Sequence, residues 1–428
     1  MTRGCEQGAI ESCAAPVPPR RDWLLAFASA LVLTDACDAV LYGAFGRGAM
    51  LLPGLPIARV PLLGVFAATV LLLGRDLRGA VDHARAAWFL WPAVALAFVS
   101  ALWSDRPVTT IVWASALLGT SAFGVALAGR FSAGAQARLI AAVVAAVALG
   151  SGLAVQLWPA FGIAPRGQWQ GLYVHRNLLG KVMALGVTAA LVAAAGSRRR
   201  IAALGALLLC GGVLLATRSR ASLLTAAIAA VAVLLLVGAR RWRRHAFAIL
   251  ASGAGVVGLA VALLITTKPG LTLLARSATL SDRTQIWSAV LAETRKAPWL
   301  GHGYGAFWPG PAGTQARAVV SIPVVHAHNG ALDLAAELGV AGLVVVLVPL
   351  GFIAIAALRH ALESHARACL WPATYLVFFV ASNAGESALL RHKLSWALYV
   401  AVACHVARRP SPGAIAPPCG SLSMRPGP

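Results

Sequence analysis

Leu338–Leu358 reads LGVAGLVVVLVPLGFIAIAAL and Ala226–Gly238 reads AAIAAVAVLLLVG, and neither holds a charged side chain. The first is long enough to cross a bilayer as a helix, which takes about 20 apolar residues. Neither alternates apolar and polar positions as a strand of a membrane barrel would. The whole chain shares this character: 59% of its 428 residues are hydrophobic, 12% are charged, and the mean hydropathy is +0.78. Soluble domains carry about 25% charged residues. A soluble enzyme is therefore excluded, and the fold class is all-α, a polytopic integral membrane protein. Apolar runs bounded by charges put twelve spans near 23–44, 56–74, 87–103, 108–129, 138–157, 177–196, 201–216, 220–238, 246–266, 334–358, 368–385 and 392–407.

The 36 Lys and Arg against 14 Asp and Glu give a net charge of +22. On such a chain the excess first sets topology, because cytoplasmic loops are rich in Lys and Arg. With a cytoplasmic N-terminus, the inner loops hold Arg75/Arg78/Arg85, Arg130/Arg138, Arg198–Arg200, Arg240/Arg241/Arg243/Arg244 and Arg359/Arg367, and Arg408/Arg409 open the C-terminal tail. Every inner loop is basic, so the charge needs no nucleic acid to explain it. The expected organisation is a cytoplasmic tail at 1–22, nine helices over 23–266, a periplasmic loop at 267–329, three helices over 330–407 and a disordered cytoplasmic tail at 408–428. The polar first 22 residues lack the apolar core and cleavage site of a signal peptide, so the first helix is expected to be retained. Cys5, Cys13, Cys37, Cys210, Cys369, Cys404 and Cys419 have no metal-ligand spacing and imply no disulfide framework.

Short outer loops should be poor in Arg, yet Arg176, Arg218, Arg220, Arg276, Arg283, Arg317 and Arg391 fall there. An anionic substrate outside the cytoplasm accounts for that asymmetry. Only the connection at 267–329 is long, and long loops in compact proteins are usually functional. Within it Ser281 is the expected cap of a helix over Thr284–Lys296, followed by a turn at Gly301–Gly305.

Several clusters can carry chemistry, each beside a plainer reading. His326-Ala327-His328-Asn329 lies at the mouth of a helix. A histidine there, with an ordinary pKa of about 6.5, can take a proton from a sugar hydroxyl; the plainer reading is an interfacial histidine. His326 and His328 also make an H-x-H pair, but Asp333 and Glu337 lie farther along the helix, so no metal is expected. Arg218 and Arg220 flank Ser219 in a short turn, where a guanidinium fork suits a lipid diphosphate or merely snorkels at a helix end. Arg176 stands at another outer boundary, with Lys181 farther into the same span. Arg283 and Trp287 bring a charge and an aromatic face to the long loop. Glu386 can orient a histidine or neutralise an arginine, and Arg391 adds a further cation.

Five stretches carry a resemblance: Gly171–Gly180 (GLYVHRNLLG), Arg218–Leu224 (RSRASLL), Asp282–Trp287 (DRTQIW), Pro298–Gly305 (PWLGHGYG) and His326–Gly339 (HAHNGALDLAAELG). In this order they resemble the O-antigen ligase-like superfamily, to which Wzy-type polysaccharide polymerases belong, most closely its exopolysaccharide-polymerase branch. The resemblance implies a glycosyltransferase of the inner membrane that acts at the periplasmic face without metal or cofactor. It would join undecaprenyl-diphosphate-linked repeat units, the donor, to a sugar hydroxyl on a second lipid-linked unit, the acceptor. His328, directly before Asn329, matches the base of the family. Arg220, with Leu224 four residues on, and Arg283 match its diphosphate-binding arginines. Arg176 is a third candidate ligand, with Arg218, His326, Asn329, Glu386 and Arg391 in support. The bilayer, a chain-length regulator and export proteins are the implied partners, and nucleic acid is not. An O-antigen ligase or protein O-glycosyltransferase stays open within the superfamily. From another class, a secondary transporter or flippase stays open too, with Asp35 and Asp38 as a proton relay, although the chain lacks the matching halves of such proteins.

Overall fold

The computed structural model describes residues 18–37, 40–41, 50–52, 55–56, 60–196, 200–253, 255, 278–320, 324–364 and 366–408. In lipid a backbone must satisfy its own polar groups, and the apolar runs do so as helices. In order these are α1 (Arg20–Val32), α2 (Val60–Gly74), α3 (Leu77–Ala86), α4 (Trp91–Val99), α5 (Pro107–Arg130), α6 (Ala133–Leu157), α7 (Arg176–Gly196), α8 (Arg200–Thr217), α9 (Arg220–Arg241), α10 (Ala278–Thr294), α11 (Pro311–Ala318), α12 (Gly330–Glu363), α13 (Trp371–Asn383) and α14 (Leu394–Ala407). A small hairpin pairs Met50–Leu52 with Leu55–Pro56.

Among the described residues six helices, α5 to α9 and α12, are long and apolar enough to cross a membrane. Of the twelve expected spans, those near 368–385 and 392–407 contain helices of 13 and 14 residues, and the described part of the one near 23–44, which leaves out 38–39 and 42–44, contains the 13-residue α1. At 1.5 Å per residue these reach about 20 Å, short of a hydrocarbon core of about 30 Å. The span expected at 246–266 is described only as far as 255, and Asp38 and Arg276 lie outside the described residues. The segment with Arg78 and Arg85, expected as a loop, is the helix α3, bent by 103° from α2 and capped by Asp76, whose Oδ1 accepts the Gly79 N–H at 2.9 Å. α10 starts at Ala278, so Ser281 lies inside that helix and does not cap it.

One end of the bundle is held by arginines. Arg130 and Arg75 both pair with the buried Asp22. Arg240 donates to the Ala361 and Ala366 carbonyls, and Arg243 to those of Leu362 and Glu363, at the end of α12. Carbonyls left open at a helix C-terminus attract cations, so these arginines act as caps as well as topology signals. Cys210 and Cys404 are free thiols, whereas Cys369 is disulfide-bonded, against the expectation from spacing.

The opposite end depends on a break in α12. Gly339 has φ 60° and ψ −158°, a conformation essentially restricted to glycine. The segment after α10 docks on this break: Val340 and Ala341 donate to the carbonyls of Pro298 and Trp299 (2.8 and 3.1 Å), and His302 and Gly303 donate to those of Ala336 and Glu337 (3.0 and 2.9 Å). The contact is so close that a Cβ on Gly339 would lie 2.3 Å from the Trp299 backbone, and one on Gly301 2.5 Å from that of Glu337. The PWLGHGYG and ELG motifs are therefore two sides of one backbone joint.

Candidate functional site

Asn329 is the N-cap of α12, its Oδ1 accepting the N–H groups of Ala331 (3.1 Å) and Leu332 (3.2 Å). His328, just before it, is held at φ 52°, a left-handed conformation that costs a non-glycine residue about 1 kcal/mol or more. α13 ends at Asn383, whose Oδ1 accepts the N–H groups of Ala388 and Leu389, both at 2.8 Å. That turn folds residues 384–390 over the start of α12, where a Cβ on Gly330 would meet Asn383 Oδ1 at 2.2 Å. Glu386 Oε1 thereby comes to 3.4 Å from His328 Nδ1, and its Oε2 to 3.9 Å from His326 Nε2. The two imidazole centroids are 4.0 Å apart.

Asp333 ties the two segments together. Its carboxylate accepts the Ala327 N–H at 3.0 Å, the Trp308 indole N–H at 2.7 Å and the Ser387 hydroxyl. α10 clasps the same two segments from outside: Trp287 donates to the Ala327 carbonyl (2.9 Å) and, one turn earlier, Arg283 Nη2 donates to the Gly385 carbonyl (3.0 Å). The indole N–H of Trp287 thereby supports the histidine loop.

Burial raises the proton affinity of Glu386, but the hydrogen bond from His328 and the nearby Lys181 and histidines outweigh it and hold the pKa at about 2. Burial pulls His326 down to about 3, with repulsion from His328 in the same direction. Glu386 is thus an anion that accepts from His328 Nδ1–H, and the lone pair of His328 is left on Nε2. His326 has the opposite tautomer, because its Nδ1 accepts the His328 backbone N–H at 3.3 Å. A neutral imidazole backed by a carboxylate, with a free Nε2 lone pair, can remove a proton from a hydroxyl. His326, His328 and Glu386 each offer one ligand atom within 4.8 Å of the others. Zinc at 2.0–2.2 Å from each would need them closer, about 3–4 Å apart, and Lys181 and Arg283 bring positive charge to the same place.

A second cluster adjoins this one. Arg176 Nη1 donates to the Arg218 carbonyl at 3.3 Å, Arg218 itself lies at φ 50°, and Arg166 and Arg220 are close enough to Arg176 to repel it. The turn is fixed by Ser219, which donates to Asn177 Oδ1 at 3.0 Å. Neither Arg218 nor Arg220 has an anionic partner among the described residues, and both are exposed. The two clusters meet where Ala221 packs on Gly385, since a Cβ on Gly385 would be 3.2 Å from Ala221 Cβ and 4.0 Å from Arg283 Nη1.

His326, His328, Asn329, Glu386 and Arg283 therefore come together, with Arg176, Arg218 and Arg220 beside them. Arg391 is elsewhere engaged: it is buried, paired with Glu337 at 2.8 Å and placed 5.9 Å over the Trp113 ring. Arg317 binds the Trp308 carbonyl within its own loop. Asp35, considered for a proton relay, pairs with Lys393 at 2.5 Å beyond the end of α1. The sequence reading passed over Arg166, which sits in the same outer loop as Arg176 and was open to the same charge argument. It also gave no role to Asp333 beyond metal ligation, and nothing in its spacing signals contacts with residues as distant as Trp308 and Ser387.

A comparison with curated proteins found no match. Residues 205–347 match the family model described as Wzy_C, O-antigen ligase, a stretch that holds Arg218, Arg220, Arg283, His326, His328 and Asn329. Over that stretch, about a third of its length, the chain is similar to the O-antigen ligase family.

Proposed function

We propose that this membrane protein is a glycosyltransferase that joins undecaprenyl-diphosphate-linked oligosaccharide units into an exopolysaccharide at the periplasmic face of the inner membrane. The twelve spans and the periplasmic placement of 267–329 belong to the same proposal. The observation that carries it is the pairing of His328 with Glu386 beside Arg220, Arg176 and Arg283. His328 Nε2 takes the proton of the acceptor hydroxyl, whose oxygen attacks the anomeric carbon. The bond from that carbon to the diphosphate breaks, and the arginines stabilise the charge on the departing undecaprenyl diphosphate. No metal is needed for either half of the step. The similarity of residues 205–347 to the O-antigen ligase family favours a second reading, an O-antigen ligase with the same donor chemistry and a different acceptor.

The test uses the purified full-length protein in lipid nanodiscs, lipid-linked oligosaccharide extracted from cells lacking it, and EDTA, with product length read on a gel. A ladder of extended lipid-linked chains supports polymerisation; a single transfer, seen only when lipid A core is added, supports ligation. No product, or product lost to EDTA, overturns the proposal. Arg220→Lys and Arg283→Lys should each slow the reaction about tenfold or more, because lysine keeps the charge but loses the bidentate fork.

A further inference from the structure

His175 belongs to neither cluster as described, yet it lies between them. It directly precedes Arg176 and Asn177, which are hydrogen-bonded to Arg218 and Ser219 of the turn whose Ala221 packs on Gly385, and it is within electrostatic reach of Glu386, His328, Arg176 and Arg283. Its Nδ1 accepts the Asn177 backbone N–H at 3.2 Å, so its proton is on Nε2. His328 has the reverse arrangement, with Nδ1–H committed to Glu386 and Nε2 free. Of the three histidines here, His328 can accept through Nε2, whereas His326 and His175 can donate through theirs, and His326 turns its Nε2 toward Glu386 at 3.9 Å.

In the proposed transfer the scissile bond joins the sugar, which faces the base, to the diphosphate, which faces the arginines. A group at the junction of the two clusters meets that bond. We infer that His175 is a further catalytic residue, whose Nε2–H donates a hydrogen bond to the glycosidic oxygen as it departs with the diphosphate. Desolvation lowers the proton affinity of His175 and, although Glu386 opposes this, His328, Arg176 and Arg283 act in the same direction. It stays neutral, and it donates a hydrogen bond without giving up its proton. The acceptor proton goes to His328, the bonding electron pair goes to the departing oxygen, and the products are the lengthened glycan and undecaprenyl diphosphate.

The inference rests on the transfer reading, so the experiment separates their failures. Full-length wild type, His175→Ala, His175→Gln and His175→Glu are compared in nanodiscs with the extracted lipid-linked oligosaccharide, and binding of undecaprenyl diphosphate is measured alongside. Glutamine keeps an N–H near the Nε2 position, whereas glutamate offers only acceptors. The expected result is a loss of turnover of about 100-fold in the alanine variant, as for removal of one preorganised donor, with undecaprenyl diphosphate affinity changed less than about threefold. His175→Gln should recover about tenfold or more of that loss and His175→Glu should not. If the alanine variant does not fold, the Gln and Glu variants decide the question. Turnover of His175→Ala within about tenfold of wild type, or a glutamine variant no better than the glutamate one, overturns the inference and leaves the transfer reading standing. A wild-type protein that extends no oligosaccharide overturns both.

Discussion

Glu386 decides which nitrogen of His328 is available. Held at about pKa 2, it stays a carboxylate and keeps the histidine proton on Nδ1. His328→Ala should reduce product formation by about 10²–10⁴, the usual contribution of a general base, and Glu386→Gln by about 10² because the neutral amide no longer selects the tautomer. Both rates are checked with the nanodisc assay. The same residues set an acid limit on stability. His326 titrates at about 3 in the folded protein against about 6.5 unfolded. The unfolded state then binds more protons between these values, so stability is full above about pH 6.5 and falls as pH drops toward 3. Glu386, at about 2 against about 4.3 unfolded, adds a loss that begins below about pH 4.3. Melting temperature against pH should therefore be flat near neutrality and fall in acid. In His326→Asn the fall between about pH 6.5 and 4.3 should be shallower, with His175 keeping its own share of it; an unchanged curve would show that His326 does not titrate low in the folded protein.

At the scale of elements, the site rests on three turns that bring separate helices to one place: the break at Gly339, the cap at Asn383 and the clasp by α10. Gly339→Ala should destabilise the protein by about 2–3 kcal/mol or more, because the backbone conformation is strained for any side chain and the new Cβ meets the Trp299 backbone at 2.3 Å. Gly211→Ala in α8 is the control, since its Cβ would meet nothing within 4 Å and alanine favours helix by up to about 1 kcal/mol. Thermal unfolding in detergent measures both, and equal melting temperatures would contradict the docking of 298–303 on α12. The glycine motifs were legible as motifs. Their role as a joint was not, because Pro298–Gly303 and Gly339–Ala341 are about forty residues apart in the chain and only the backbone hydrogen bonds between them reveal it.

For the whole molecule, the arginine-bearing end and the site end lie at opposite poles of the helices, with Arg240 at the end of α9 and Arg220 at its start. Reporter fusions at Arg243 and Thr314 should therefore give opposite signals, Arg243 cytoplasmic and Thr314 periplasmic; the same signal from both would overturn the proposed topology. The membrane environment and the helical class follow from the sequence alone, because a continuous apolar run has one way to satisfy its backbone in lipid. The basic loops and the clusters that hold His326, His328, Arg218, Arg220 and Arg283 are also visible there, since residue type and local spacing carry them, and the family resemblance singles out His328, Arg220 and Arg283 among them. Only the tertiary structure decides that Glu386 faces His328 while Arg391 turns away to Glu337, that Asp333 fastens the site, and that Arg166 and His175 complete its perimeter. Charge and periodicity are local properties of a chain, whereas the partner of a buried ionisable group depends on which helix ends the packing brings together.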